Sequence, residues 1–197
     1  MSKTANRTNA ALKSLWAKAC DAWVLDYQNN NGVIYLKPFT NRDEDDVNED
    51  GQKKKFPRWI RDGQVFCLTA HNPFGRRRSK DENCLANERL KAALIVESKN
   101  GRDFKMWDSF GFSVDSSDEW REDGFAVAFV DRVSDEDEQF IVDLAKEYLQ
   151  GAVYRYRWSR GGYALERKTV KALMEDVEEV VYVEISEKPV GIKNADV

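Results

Sequence analysis

Residues 65–94 read VFCLTAHNPFGRRRSKDENCLANERLKAAL and contain, in succession, a strand, a turn and a helix start. Residues 65–70 are a short apolar run. Asn72-Pro73 biases residue 72 away from the helical region and ends the strand. Gly75 supplies a positive φ that Phe74 would resist. Ser79 and Glu82 have capping-box spacing: the hydroxyl accepts an orphan N–H and the carboxylate reaches back. Arg76, Arg77 and Arg78 bring three permanent positive charges to a helix N-terminus whose free N–H groups are themselves electropositive. That combination predicts an anion site, against the plainer alternative of a capped helix with solvated arginines. Asn83, Asn87, Leu90 and Leu94 share one helix face. The leucines are expected to meet the core, so the two amides point inward and must be hydrogen-bonded. Holding the 71–78 loop is the favoured role, because side-chain amides commonly bind loop backbone; lining a pocket is the alternative. The candidate ligand-binding set is His71, Asn72, Arg76, Arg77, Arg78, Ser79, Asn83 and Asn87, with no catalytic residue assigned.

These residues resemble a known family. Leu68-Thr69-Ala70-His71-Asn72-Pro73, Gly75, Ser79, Glu82-Asn83 and Asn87 are similar to the motif of the domain of unknown function 3293: an apolar strand, T-A-x-N-P, a Gly, then S-x-x-E-N-x-x-x-N on a helix. Trp120 with the glycine and apolar strand up to residue 130, and residues 151–158, resemble later parts of that domain. The resemblance spans residues 33–158 and departs from the family at a charged loop, 41–58, and after residue 160. It implies a domain with this central motif. The family has no established activity, so it implies no reaction.

A chain of 197 residues with 42% hydrophobic and 34% charged residues is expected to fold as one domain, 1–186, followed by a loose tail, 187–197. The net charge of −4 weighs against general affinity for nucleic acid or anionic membrane. No apolar run approaches the ~20 residues of a membrane span. Cys20, Cys67 and Cys84 are odd in number and lack metal-ligand spacing, which points to reduced thiols and a cytoplasmic location. The first twenty residues carry Lys3, Arg7, Lys13 and Lys18 and no acid, as in an organelle transit peptide, which would place the chain in a stroma. Their aromatic pattern favours a retained N-terminal helix instead. No cofactor and no metal are expected: the acids at 43–50 do not fit an EF-hand.

Leu12, Leu15, Trp16, Ala19, Cys20, Trp23 and Tyr27 recur at helical spacing and predict a helix over 9–28. A strand is expected at 33–39, with Pro38 favouring an edge or a strand end. Residues 41–58 read as a charged surface insertion, after which Trp59 should pack. Phe104, Met106, Phe110 and Phe112 alternate as a strand. Residues 125–130 are continuously apolar, as in a strand covered on both faces. Ser134 starts a helix with the stripe Phe140, Ile141, Leu144 and Tyr148, and a strand is expected at 153–158. A short helix around 167–178 and a strand at 180–185 follow. From residue 65 the order is strand, helix, strand, strand, helix, strand. The expected fold class is therefore α+β: one antiparallel sheet with two helices on one face, in ferredoxin-like βαββαβ order, plus an N-terminal helix and a C-terminal extension.

Three functions compete. The leading expectation is a non-catalytic protein-binding or assembly subunit with an anion-binding loop–helix start at 71–79, since six tryptophans and charged loops suit a partner surface. The second is an enzyme for a phosphate- or carboxylate-bearing small molecule, using His71, the only histidine, as acid–base group, with Cys84 as a nucleophile candidate. No nucleophile elbow, Walker loop or zinc pattern supports it. The third is an RNA-binding module stacking bases on Tyr154, Tyr156 and Trp158 beside Arg155, Arg157 and Arg160. The acidic balance opposes it. The expected partners are thus a protein and a small anion, not nucleic acid.

Overall fold

The computed structural model describes residues 9–27, 30–39, 56, 58–113, 120–129, 133–159 and 164–188. In chain order the elements are α1 (Asn9–Lys18), β1 (Cys20–Tyr27), β2 (Asn30–Phe39), α2 (Arg58–Arg61), β3 (Gln64–Leu68), a 3-10 turn (Pro73–Gly75), α3 (Lys80–Lys99), β4 (Lys105–Phe112), β5 (Arg121–Phe129), α4 (Asp135–Glu147), β6 (Ala152–Trp158), β7 (Leu165–Lys171) and β8 (Glu179–Ser186). The eight strands close into one antiparallel barrel in the order β1-β2-β8-β7-β6-β3-β5-β4. Closure is made by β4 against β1, where Cys20 lies opposite Phe112 and Trp23 opposite Ser109.

Strand alternation divides the side chains into a lumen and an outer core. Trp23 Nε1 of β1 donates to Cys67 Sγ of β3, and Tyr156 Oη of β6 donates to Asp21 of β1. Neither pair of strands is adjacent, so this face is the lumen. Outside, Phe66, Leu68, Phe125 and Val127 are covered by Leu90 and Leu94 of α3 and Ile141 and Leu144 of α4. The apolar runs in β3 and β5 are continuous because both of their faces are buried. One end of the barrel is closed by α2, where Trp59 packs on Trp107 with ring centroids 4.9 Å apart. Phe56 packs on Trp23 and Trp158 beside it. The C-terminus of α1 lies at the opposite end.

This architecture overturns the expected ferredoxin-like α+β sheet. The order strand–helix–strand–strand–helix–strand is present as β3 to β6, and those four strands are neighbours. The sheet does not stop there: β7, β8, β2 and β1 continue it until it meets β4. Two helix assignments conceal the closure. The helix expected over 9–28 ends at Lys18, and residues 20–27 form β1. Asp21, Trp23 and Leu25 are buried on its lumen side; Cys20 and Ala22 pack outside with Phe110 and Phe112. A stretch apolar on both faces fits a helical period and a strand period alike. The helix expected around 167–178 is likewise replaced by the end of β7, with Arg167 and Thr169 turned inward. Pro38 lies within β2 opposite Val183, in a barrel that has no free edge. Both capping boxes form, Ser79 with Glu82 and Ser134 with Asp137. The 41–58 insertion lies outside the described residues apart from Phe56 and Arg58, and so does the 187–197 tail apart from residues 187 and 188.

Candidate functional site

The Thr69–Asn87 motif is a clamp that fixes the loop leaving β3 across the α1 end of the barrel. Asn87 Oδ1 accepts the Ala70 N–H at 2.8 Å, and its Nδ2 donates to the Asp123 carbonyl at 2.7 Å. One turn earlier, Asn83 Oδ1 accepts the Asn72 N–H at 3.0 Å and its Nδ2 donates to Asn72 Oδ1 at 3.0 Å. Asn72 Oδ1 also accepts the Arg78 N–H, and Asn72 Nδ2 donates to Glu122 Oε1 at 2.9 Å. Thr69 Oγ1 donates to the Asp123 carbonyl and accepts the His71 N–H. The amides therefore bind loop backbone. They hold an unusual conformation: Asn72, Phe74 and Gly75 all have left-handed backbones, with φ of 44°, 52° and 68°. The left-handed backbone expected at Gly75 is thus shared by Phe74, against the expectation that its side chain would resist it. The Phe74 N–H donates to the Leu149 carbonyl.

The remaining candidates are placed differently. Arg76, Arg77 and Arg78 are all exposed. The helix start they precede is already occupied: Ser79 gives both its N–H and its hydroxyl to the Glu82 carboxylate and accepts the Glu82 N–H. Those bonds, with a smaller pull from Arg78, hold the Glu82 carboxyl below its usual range. His71 is partly buried; desolvation lowers its imidazole pKa, against an opposing pull from Asp123. Burial pushes the Cys20 thiol up to about 11 and the Cys67 thiol well above its ordinary value, so both are protonated at neutral pH. Cys84 is exposed. Among the described residues no group of three His, Cys, Asp or Glu is arranged to hold a metal ion, and no helix is long and apolar enough to cross a membrane.

Beside the clamp lies a cavity of about 90 Å3, open to solvent on one side. Its wall comes from α1 (Trp16), β1 (Asp21), the end of β4 (Ser109, Gly111), the start of β5 (Trp120, Glu122) and the start of β6 (Gln150, Ala152, Tyr154), with Thr69 at the rim. None of the eight candidates from the sequence lines it. The clamp reaches it through one bond, from Asn72 to Glu122.

The floor of this cavity is a buried charged network. Arg167 is 1% exposed and serves as the C-terminal cap of α1. Its Nη2 donates to the Trp16 and Ala17 carbonyls at 2.8 and 3.0 Å; its Nη1 donates to the Ala19 carbonyl at 2.6 Å and to Asp21 Oδ2 at 2.9 Å. A cation at a helix C-terminus complements both the orphan carbonyls and the dipole. The guanidinium also lies 4.4 Å from the Tyr154 ring centroid, and Tyr154 Oη donates to the Trp16 carbonyl. Burial pushes the Asp21 carboxyl up, while Arg167 and Tyr156 hold it down. Glu122 differs. Burial raises its carboxyl above the usual range and the Asn72 amide is the one group opposing this. No ion pair joins it to a described residue. The indole N–H of Trp120 is buried without a partner among the described residues. Gly111 leaves room for that indole, since a Cβ there would sit 3.3 Å from the ring.

Sequence reasoning missed Asp21, Trp120, Glu122, Gln150 and Arg167. Asp21 is the only charge in the otherwise apolar stretch 19–25, and Arg167 alternates with Leu165 and Thr169; helix assignments obscure both signals. Glu122 falls in a segment that reads as a polar connection, so no element directs it inward.

The fold and site define an eight-stranded antiparallel barrel with a buried Arg–Asp plug and an asparagine-clamped loop at one mouth. Residues 68–153 match the model of the family described as protein of unknown function (DUF3293). No curated protein matches the chain. Among solved structures, a phage SAM lyase in its apo state is matched at 12% identity and a TM-score of 0.27, over 64% of this chain and 89% of that one. A likeness that low carries no conclusion about fold or function.

Proposed function

We propose that this protein binds a small molecule in the cavity at the clamped mouth of the barrel. The observation that carries the proposal is Glu122: a partly buried carboxyl at the cavity wall whose one hydrogen-bond partner among the described residues is the Asn72 amide. An acid in that position costs folding free energy, and perturbed titratable groups in clefts cluster at binding and catalytic sites. The clamp supports the same assignment. It fixes Asn72, and through it Glu122, on a rigid rim. The volume suits a compact ligand or the compact end of a larger one.

The expected assembly role, with an anion at Arg76–Arg78, draws on the exposure of those side chains. The loop amides beside them are already engaged, and the helix start carries its own carboxylate; both weigh against that role. RNA stacking draws no support from the aromatics of β6: Tyr156 is 1% exposed and Tyr154 packs beneath Arg167. Acid–base catalysis by His71 draws none either, since His71 does not line the cavity.

Filling the cavity tests the proposal. Ala152 lines it from β6 next to Gln150, and Ala152→Phe should occupy it while the barrel stays folded. A thermal-shift screen of small organic fragments should yield compounds that stabilise the native chain and fail to stabilise the variant. If every stabilising fragment acts equally on both, the site is elsewhere.

A further inference from the structure

Resting on that pocket, we infer that its ligand class is an organic cation: the cavity receives a protonated amine, or the ammonium end of a larger molecule. The wall charge is the first reason. Asp21 and Glu122 line the cavity, and no Lys, Arg or His among the described residues does. Two guanidinium groups lie close by and both are engaged: Arg121 pairs with Asp123, and Arg167 packs on the Tyr154 ring with its Nη donors held by three carbonyls of residues 16–19 and by Asp21 Oδ2. Arg167 thus balances Asp21. Glu122 is left without a counterion among the described residues, and a ligand cation beside it would supply one. A ligand anion in the same place would meet a carboxylate with no base to offset it.

The balance of hydrogen-bonding groups agrees. Glu122 offers its second oxygen, since Oε1 is the one that accepts from Asn72. Gln150 uses its amide N–H group on the His71 and Tyr148 carbonyls, which leaves its amide oxygen as an acceptor. Asp21 receives Tyr156 and Arg167 on Oδ2, and its Oδ1 lies on the Gly111 side. These are acceptors, and an ammonium carries three donors and no acceptor. The Trp120 indole N–H, on the same wall, has no partner among the described residues and suits an acceptor elsewhere on the ligand. Trp16 and Trp120 both line the cavity, and indole is the aromatic surface a cation prefers.

The test uses three probes of equal length and different charge: n-propylammonium chloride, n-propanol and sodium propionate. Each is titrated into the full chain near neutral pH at constant ionic strength, following tryptophan emission and the thermal midpoint, since two tryptophans line the site. The expected result is saturable binding of propylammonium, weakened about tenfold or more in Glu122→Gln, with the alcohol and carboxylate weaker by a similar factor. Circular dichroism of Glu122→Gln should match the native chain. Two other results would overturn the inference. If propanol or propionate binds as tightly as propylammonium, and Ala152→Phe abolishes that binding, the pocket stands and its preference for cations does not. If no probe binds saturably, or Ala152→Phe leaves binding unchanged, both the cation class and the pocket assignment fail.

Discussion

Arg167→Met is expected to lose roughly 3–5 kcal/mol of stability, more than any other single change in the cavity floor or the clamp. Methionine keeps much of the volume but supplies no donor. Asp21, 3% exposed, would then stay buried with Tyr156 as its remaining partner, and the carbonyls of Trp16, Ala17 and Ala19 would lose their cap. An uncompensated buried charge is costlier than an absent ion pair, so pairing the change with Asp21→Asn should recover part of the loss. Denaturant melts of the two single variants and the double variant measure this directly. Two additive losses would mean that Arg167 acts on the α1 carbonyls alone.

Asn87→Ala is expected to cost roughly 2–3 kcal/mol. The Ala70 N–H is buried and has Asn87 Oδ1 as its acceptor, so removing the amide leaves a donor that water cannot reach. The Asp123 carbonyl suffers less, because Thr69 Oγ1 also donates to it. Asn83→Ala should cost distinctly less, since its bonds to Asn72 are only partly buried and solvent can replace them. Melting both variants ranks the two. Equal losses would show that the Ala70 bond is not the critical part of the clamp.

The legible and illegible parts of this chain separate along physical lines. The loop, caps and helices of residues 65–148 can be read because each depends on local chemistry: Pro73 after Asn72, the Ser79–Glu82 box, and leucines at helical spacing with two amides among them. The inward-facing amides are legible too, since a polar side chain on an apolar face must find a partner. Barrel closure is not. It depends on β1, where residues 20–23 are all buried and so show no exposed polar face to set their period, and on β7, where polar Arg167 and Thr169 are the residues turned inward. The candidate site suffers in turn. Its wall joins Trp16 and Asp21 with Ser109, Gly111, Trp120 and Glu122 and with Gln150, Ala152 and Tyr154, which only closure brings together, while the arginines that stand out in the sequence are exposed and lie outside it.

Glu122 provides the most direct measurement of the central claim. Burial raises its carboxyl above the ordinary value of 4.5, so the folded state binds a proton there more tightly than the unfolded chain does. Its ionised form therefore costs stability, and that cost grows as pH rises from about 4.5 through the folded value. Glutamine removes the charge, and its oxygen can still accept from Asn72. Unfolding of the native chain and of Glu122→Gln should be followed from acid to neutral pH, with and without a fragment that stabilises the native protein. A binding site predicts a variant that is more stable than the native chain at neutral pH, with the gap closing towards pH 4, and that no longer responds to the fragment. A variant less stable than the native chain at neutral pH would show that Glu122 is a structural acid and would contradict this account.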